Sequence, residues 1–278
     1  MTRILITGAT GSLGSRVAAR AAAAGHTVFG THVRPHDRDE SDDQAISWAR
    51  LDIRDRYAVR HAVELVRPDV VVHAAAGRDR NDWAINADGA ANVALACGDQ
   101  VRLVHVSSDA IFSGRAGREY TESDEPDPVN RYGAAKAAAE TAVRAIAPGA
   151  AIVRTSLILA DGNGGHEQLT YDLIAGRLDG ALYTDEIRKP IHVDDLADAL
   201  LEVAAGDFHG VINVAGPDAT SRYELGVLVA KRDGLDSARL RTATGSGRPG
   251  DVQLDVRMAE ELLHTRLRGA HEFMAAPL

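Results

Sequence analysis

The chain has 278 residues, of which 45% are hydrophobic and 26% charged, a globular balance that excludes disordered and fibrous classes. A formal charge of −9 without a long run of Lys and Arg argues against nucleic acid as a partner. Cys97 is the single cysteine, so no intrachain disulfide can form; no 18-residue apolar run exists to span a bilayer, and a strand starting almost at Met1 leaves no room for a signal peptide, so a cytoplasmic protein is expected.

The first strand reads Arg3 to Thr7, followed by a glycine turn and an Ala-rich helix from about Leu13 to Ala24 that ends at Gly25. Strands follow at Thr27 to Thr31 and Ile46 to Leu51, with the charged stretch His36 to Gln44 between them read as a loop. A helix at Tyr57 to Val66 leads to the strand Asp69-Val70-Val71-Val72-His73, whose β-branched run suits a strand covered on both faces. Trp83 to Cys97 is the next helix, with Cys97 a small buried hydrophobe in its apolar pattern; then come a strand at Val101 to Val106, a helix at Tyr132 to Ala147 and a strand at Ala151 to Leu159. Strand and helix alternate for more than half the chain, which predicts an α/β fold with a doubly wound parallel sheet. The low aromatic share, 4%, fits close helix-to-sheet packing. Ligands of such a sheet gather beyond the carboxyl ends of its strands.

After the first strand stands Thr7-Gly8-Ala9-Thr10-Gly11-Ser12-Leu13-Gly14. Glycines permit a tight turn and close backbone approach, and the helix N-terminus that follows offers free N–H groups, so Gly8, Thr10, Gly11, Ser12, Leu13 and Gly14 are candidate binders of a dinucleotide pyrophosphate. The second strand ends Thr31-His32-Val33-Arg34 without a carboxylate. NAD users place there an acid that would repel a 2′-phosphate, whereas Thr31, Arg34 and Arg16 could bond one, so NADP(H) is expected in preference to NAD(H). The plain alternative leaves Arg34 a solvated loop residue.

Tyr132 and Lys136 lie four residues apart and so share one helix face. A tyrosine titrates near 10, and a neighbouring cation favours its phenolate, which makes it a usable acid toward a carbonyl oxygen. Val104-His105-Val106-Ser107-Ser108-Asp109 ends a strand at the same sheet edge and can aim a serine hydroxyl at that oxygen.

With these motifs in this order, the chain resembles the extended short-chain dehydrogenase/reductase family, in its dTDP-4-dehydrorhamnose reductase-like, sugar-nucleotide branch. The likeness runs through the whole chain and is carried by Thr7 to Gly14, Leu51-Asp52, His73-Ala74-Ala75-Ala76, Ser107 to Phe112, Tyr132 with Lys136, Arg154-Thr155-Ser156 and Arg188 to Ala197. The resemblance implies Tyr132 as proton donor, Lys136 as its tuner and a ligand of the nicotinamide ribose, and Ser108 on the substrate oxygen. It implies Asp52 and Ile53 beside adenine, Ala74, Ala75 and Ala76 along phosphates and ribose, and Asp109, Ala110 and Leu157 beside the substrate. It also implies a homodimer. Two departures stand out: Ala110 and Leu157 occupy positions where rhamnose reductases of the family carry aromatics bordering the substrate.

In the carboxyl-terminal portion, Asp161 to Gly165 is a glycine-rich break, Gln168 to Ala175 a helical stretch, and Val211 to Val214 a buried strand. Asp194 and Asp195 are read as caps of an Ala/Leu helix, and with capping explaining the acids no metal is expected at His192. Arg222 to Leu225 and the Gly245 to Gly250 loop are expected to shape the pocket, with Arg248 a candidate for a substrate phosphate or else plain surface charge. The expected division is a Rossmann domain over 1–160, completed by about 190–215, with a smaller substrate lobe from 161–189 and 216–278. The expected activity is NADPH-dependent reduction of a keto group on a dTDP-linked 4-keto-6-deoxysugar. Alternatives are reduction of another carbonyl metabolite, or a non-catalytic NADP-binding regulatory protein.

Overall fold

Alternate residues of β1 (Arg3–Thr7) divide between two cores, Ile4 and Ile6 facing one side of the sheet and Leu5 the other, as the two-residue strand repeat requires. The structure, a computed structural model, describes residues 1–33, 45–77, 79–162, 164–245 and 247–275. β2 (Thr27–His32), β3 (Ile46–Arg50), β4 (Val70–His73), β5 (Arg102–Val106), β6 (Ala151–Thr155) and a last strand, Gly210–Val214, complete a seven-stranded sheet. Its spatial order is Gly210–Val214, β6, β5, β4, β1, β2, β3, and every neighbouring pair runs parallel. The order reverses between β1 and β4, paired in register from Ile4 with Val70 to Thr7 with His73. Loops leaving these two strands therefore diverge and open a crevice at their carboxyl ends.

The helices are α1 (Ser12–Ala23), α2 (Arg56–Val66), α3 (Gly89–Cys97), α4 (Arg131–Ile146), α5 (Gly165–Ile174), α6 (Val193–Ala205) and α7 (Arg222–Arg232), with two shorter ones near the end of the chain. Val17, Ala18 and Ala21 of α1 and Leu196, Ala199 and Leu200 of α6 bury one sheet face. Val59 and Val63 of α2, Ala90, Val93 and Ala94 of α3, and Ala139 and Val143 of α4 bury the other. The fold is thus the doubly wound α/β sheet expected, and alanine at the contacts lets helices approach closely. Segments growing from the carboxyl ends of β6 and of Gly210–Val214 carry α5 and α7, whose Leu173, Ile174 and Ala230 share a separate small core.

Three local expectations change. The helix read from Trp83 opens instead as a π turn, Ala84–Asp88, before α3; this wide turn carries Asn86, whose side chain reaches back to the loop after β4. The single strand read over Ala151 to Leu159 is two, because Ile158–Leu159 leaves the sheet to pair with Ile191–His192. The two acids lie inside the first turn of α6 and do not cap it: His192 Nδ1 accepts from Asp194 N (3.2 Å), Asp195 binds the Arg268 guanidinium, and Asp194 binds Arg20. A histidine ring could take the cap because its acceptor nitrogen sits where a carboxylate oxygen would.

Candidate active site

α4 starts at the Asn130 cap, whose side chain accepts from Gly133 N (2.8 Å), and lies against the short turn Asp109–Ile111 after β5. The approach is so close that a Cβ on Gly133 would overlap the carbonyl oxygen of Ala110. Three side chains of α4 then follow one another at four-residue spacing along its inner face. Tyr132 comes close enough to Ser108 for the serine hydroxyl to favour the phenolate. Lys136, 4% exposed, donates Nζ to Val106 O at 2.6 Å. Glu140 is fully buried and paired with Arg154 of β6 at 2.9 Å. Burial pulls the Lys136 ammonium down to about 8, opposed by the Glu140 carboxylate. The Tyr132 phenol is pushed up by burial and by Asp109, and pulled down by Arg80 and the Ser108 hydroxyl.

Ser108 itself accepts from Ala110 N (3.2 Å) and donates to Asp109 Oδ1 (3.3 Å). Asp109 in turn accepts from Ser156 Oγ at 2.7 Å and lies 3.5 Å from the Arg188 guanidinium. The structure therefore brings Ser108, Asp109, Tyr132 and Lys136 together at the carboxyl end of β5. Ala110 forms part of the supporting turn. Leu157 is partly buried against Leu159 and its neighbours, and Arg248 is exposed on a loop whose Pro249 and Gly250 carbonyls are held by Arg188.

On the other side of the crevice, Gly8 adopts φ +71°, and a Cβ there would stand 2.6 Å from Ala75 Cα, so the glycine loop touches the end of β4. Gly14 backs onto the Gly8 carbonyl, where a Cβ would collide. Thr10, Gly11 and Ser12 are exposed, and α1 begins at Gly11 with no side-chain cap and no acid in its first turn. This cradle fits a pyrophosphate: open backbone at a helix N-terminus without a competing carboxylate. The Leu13 side chain lies in the core, so only its backbone could serve such a ligand. Ala74 bonds Thr7 O through its N–H (3.2 Å), and Ala76 is exposed. Asp52 follows β3 with its carboxylate held by Arg54 at 2.6 Å, which keeps it below the usual carboxylate range, and Ile53 beside it is buried. Thr31 is buried with its carbonyl accepting from Ala9 N, and Arg34 lies outside the described residues. Arg16, read as a possible phosphate ligand, pairs instead with Asp161 and Asp194. Those carboxylates and His192 come within 4.8 Å of one another, but guanidinium groups of Arg16 and Arg20 already neutralise them.

The family model of the RmlD substrate binding domain matches residues 1–275. The chain belongs to this family. Among RmlD-family relatives, the dTDP-4-dehydrorhamnose reductase of Mycolicibacterium smegmatis is 33% identical over 261 residues, covering 89% of this chain and 74% of that protein. The methionine adenosyltransferase 2 subunit beta of Mus musculus is 29% identical over 288 residues, covering 94% and 82%. A crystal structure of dTDP-4-dehydrorhamnose reductase from Bacillus anthracis in complex with NADP superposes with a TM-score of 0.80 at 23% identity, covering 99% of this chain and 97% of that one.

Three further groups lie near this constellation: Arg80 and His166, which sequence reasoning missed, and Arg222, which it expected to shape the pocket. Arg80, from the loop after β4, sits over the Tyr132 ring. Arg222, its side chain 20% exposed, opens α7 at 3.4 Å from Glu186, and burial with Arg188 nearby pulls it down to about 10. His166, buried at the start of α5, is pushed down to about 3, mainly by burial. The four-residue spacing continued from Tyr132 and Lys136 could have flagged Glu140; nothing in the sequence flagged Arg80. Among the described residues, no helix is long and apolar enough to cross a membrane.

Proposed function

We propose that the chain is an NADPH-dependent reductase of a keto group on a nucleotide-linked 4-keto-6-deoxysugar of the dTDP type. The observation that carries this reading is the meeting of Tyr132, Ser108 and Lys136 beside an uncapped glycine cradle at the switch point of the sheet. Bound there, a reduced nicotinamide would supply hydride to the carbonyl carbon. The chain's own part is proton chemistry: Tyr132 gives its proton to the carbonyl oxygen, Ser108 orients that oxygen, and Lys136 supports the phenol and holds the ribose. Gly8, Thr10, Gly11, Ser12, Leu13 and Gly14 would take the pyrophosphate, Asp52 and Ile53 the adenine, and Ala74 to Ala76 the ribose edge. NADP(H) is preferred over NAD(H) because Thr31-His32-Val33 offers no carboxylate to a ribose hydroxyl, and the Bacillus anthracis neighbour carries NADP. Asp109, Ala110, Leu157 and Arg248 border the substrate in this reading. Ala110 and Leu157, in place of aromatics, widen the reading to other carbonyl metabolites.

The test is NADPH oxidation with dTDP-4-dehydrorhamnose and other 4-keto sugar nucleotides, wild type against Tyr132→Phe. Loss of the proton donor should lower kcat by about 100-fold or more; equal rates would remove the mechanism. The relative named as a subunit of an adenosyltransferase supports a second reading, NADP binding without turnover. Tight NADPH binding with no turnover of any carbonyl compound would favour it.

A further inference from the structure

Lys136 stands one helical turn from Tyr132 on α4, and among the described residues a second cation approaches the phenol. This cation, Arg80, has its guanidinium carbon 5.4 Å from the centroid of the Tyr132 ring, within cation–π range. Its loop is clamped on both sides. Asn86, 2% exposed, donates Nδ2 to Arg80 O at 3.0 Å and accepts from Gly77 N at 3.1 Å. Arg131, the residue before Tyr132, donates Nε to Asn81 O at 2.9 Å. The π turn and the start of α4 thus fix the Arg80 backbone relative to the phenol.

We propose that Arg80 is a positioning residue for the reduction, holding a permanent positive charge over Tyr132 so that the phenol releases its proton more readily to the substrate oxygen. The inference rests on the reductase reading above. As hydride reaches the carbonyl carbon, negative charge appears on its oxygen; the Tyr132 O–H bond breaks to supply the proton, and the phenolate left behind is stabilised by the guanidinium until water reprotonates it.

Among the described residues, the charged and titratable groups around the phenol are Asp109 after β5, Lys136 on its own helix, Arg80 from the β4 loop and, farther off, Arg188 and Arg222 beside Asp109. Of the influences that lower Tyr132, Arg80 is the foremost, ahead of the Ser108 hydroxyl. Lys136 gives its Nζ to Val106 O and is itself weakened to about 8 by burial. A guanidinium keeps its charge throughout that range. Arg80 therefore keeps its charge over the Tyr132 ring at a pH where Lys136 is losing its own.

The experiment compares wild type, Arg80→Gln and Arg80→Lys, each beside its Tyr132→Phe counterpart, by tyrosinate absorbance against pH. The difference within each pair isolates Tyr132 and needs no substrate. The Tyr132 midpoint should rise by about one unit in Arg80→Gln and return most of the way in Arg80→Lys. With NADPH and dTDP-4-dehydrorhamnose as the probe, the alkaline limb of kcat should move up equally and the plateau fall about tenfold. An unmoved midpoint overturns the proposal even if kcat falls, since a residue that merely holds its loop would lower the rate without moving a titration. A moved midpoint in a chain that turns over no keto sugar supports the Arg80–Tyr132 coupling and tells instead against the substrate assigned above.

Discussion

Gly133 sits between the two residues on which the proposed chemistry depends, and its missing side chain is what lets α4 press onto the Ala110 carbonyl. Adding a methyl there should favour the helix by about 0.5–1 kcal/mol in isolation, yet the overlap with backbone oxygen outweighs that gain because neither the helix nor the turn can yield cheaply. Gly133→Ala should therefore displace Tyr132 from Ser108 and lower kcat by roughly 10- to 100-fold while NADPH affinity, measured by fluorescence titration, changes little. A variant with wild-type kcat would show that the close approach is not what positions the phenol. The tyrosine, lysine and serine were legible as types at a spacing, because helix periodicity projects Tyr132 and Lys136 onto one face whatever the surroundings. Gly133 and Arg80 were not legible, since their meaning lies in contacts with Ala110 and Tyr132 that sequence distance conceals. Asp194 and Asp195 show the converse: acids at the start of a helix read as caps, but long-range guanidinium partners, Arg20 and Arg268, claimed them first.

At the scale of elements, strands were easier to read than the turns between them. Continuous β-branched runs such as Val70-Val71-Val72 can only be buried on both faces, so the central sheet followed from the alternation. The start of α3 followed less well, because a π turn has no signature in apolar periodicity. The glycine-rich break before α5 also concealed its organiser. Glu167, fully buried, accepts from Ala160 N (2.9 Å), Gly162 N (3.0 Å) and Gly164 N (2.8 Å), and pairs with Arg232 of α7 at 2.8 Å. One carboxylate thus ties the loop after Ile158–Leu159 to both helices. Glu167→Ala would leave the Arg232 cation buried without this partner, an imbalance that costs about 3–5 kcal/mol in comparable buried pairs. Urea unfolding should report a loss of that order, and a loss below about 1 kcal/mol would mean that Asp233, the other partner of Arg232, carries the site alone.

Across the described residues, burial pushes the imidazoles of His73, His105 and His166 below their ordinary value. His73 and His105 stack with ring centroids 5.1 Å apart at facing positions of β4 and β5, and the Thr7 hydroxyl lies 2.6 Å from His73 Nδ1. His73 is pushed down to about 3 by burial, with Lys136 adding to the effect, and His105 well below its ordinary value by the same causes. His166, in the separate region around α5, is likewise held near 3. Because His73 and His166 bind a proton in the unfolded chain near the ordinary 6.5 but in the native one only near 3, the unfolded state holds more protons between these limits, and His105, lowered by burial, acts in the same direction. The stability these neutral rings confer is therefore complete above 6.5 and is lost as the pH falls through that interval. Each imbalance of one proton is worth about 1.4 kcal/mol per pH unit, so the three acting together make stability fall as the pH drops below 6.5, before the carboxylates held low by arginine partners add to the loss. Urea midpoints taken from pH 7.5 to pH 4.5 should fall steeply below pH 6.5, and His105→Leu should reduce that slope by about one proton's share. The two regions should also lose stability together, since the imidazoles of the sheet and of α5 titrate over the same range. A stability profile flat from pH 7 to pH 5 would require these rings to be protonated inside the native fold, with acceptors for His105 Nδ1 and Nε2, which have no hydrogen-bond partner in the fold described here.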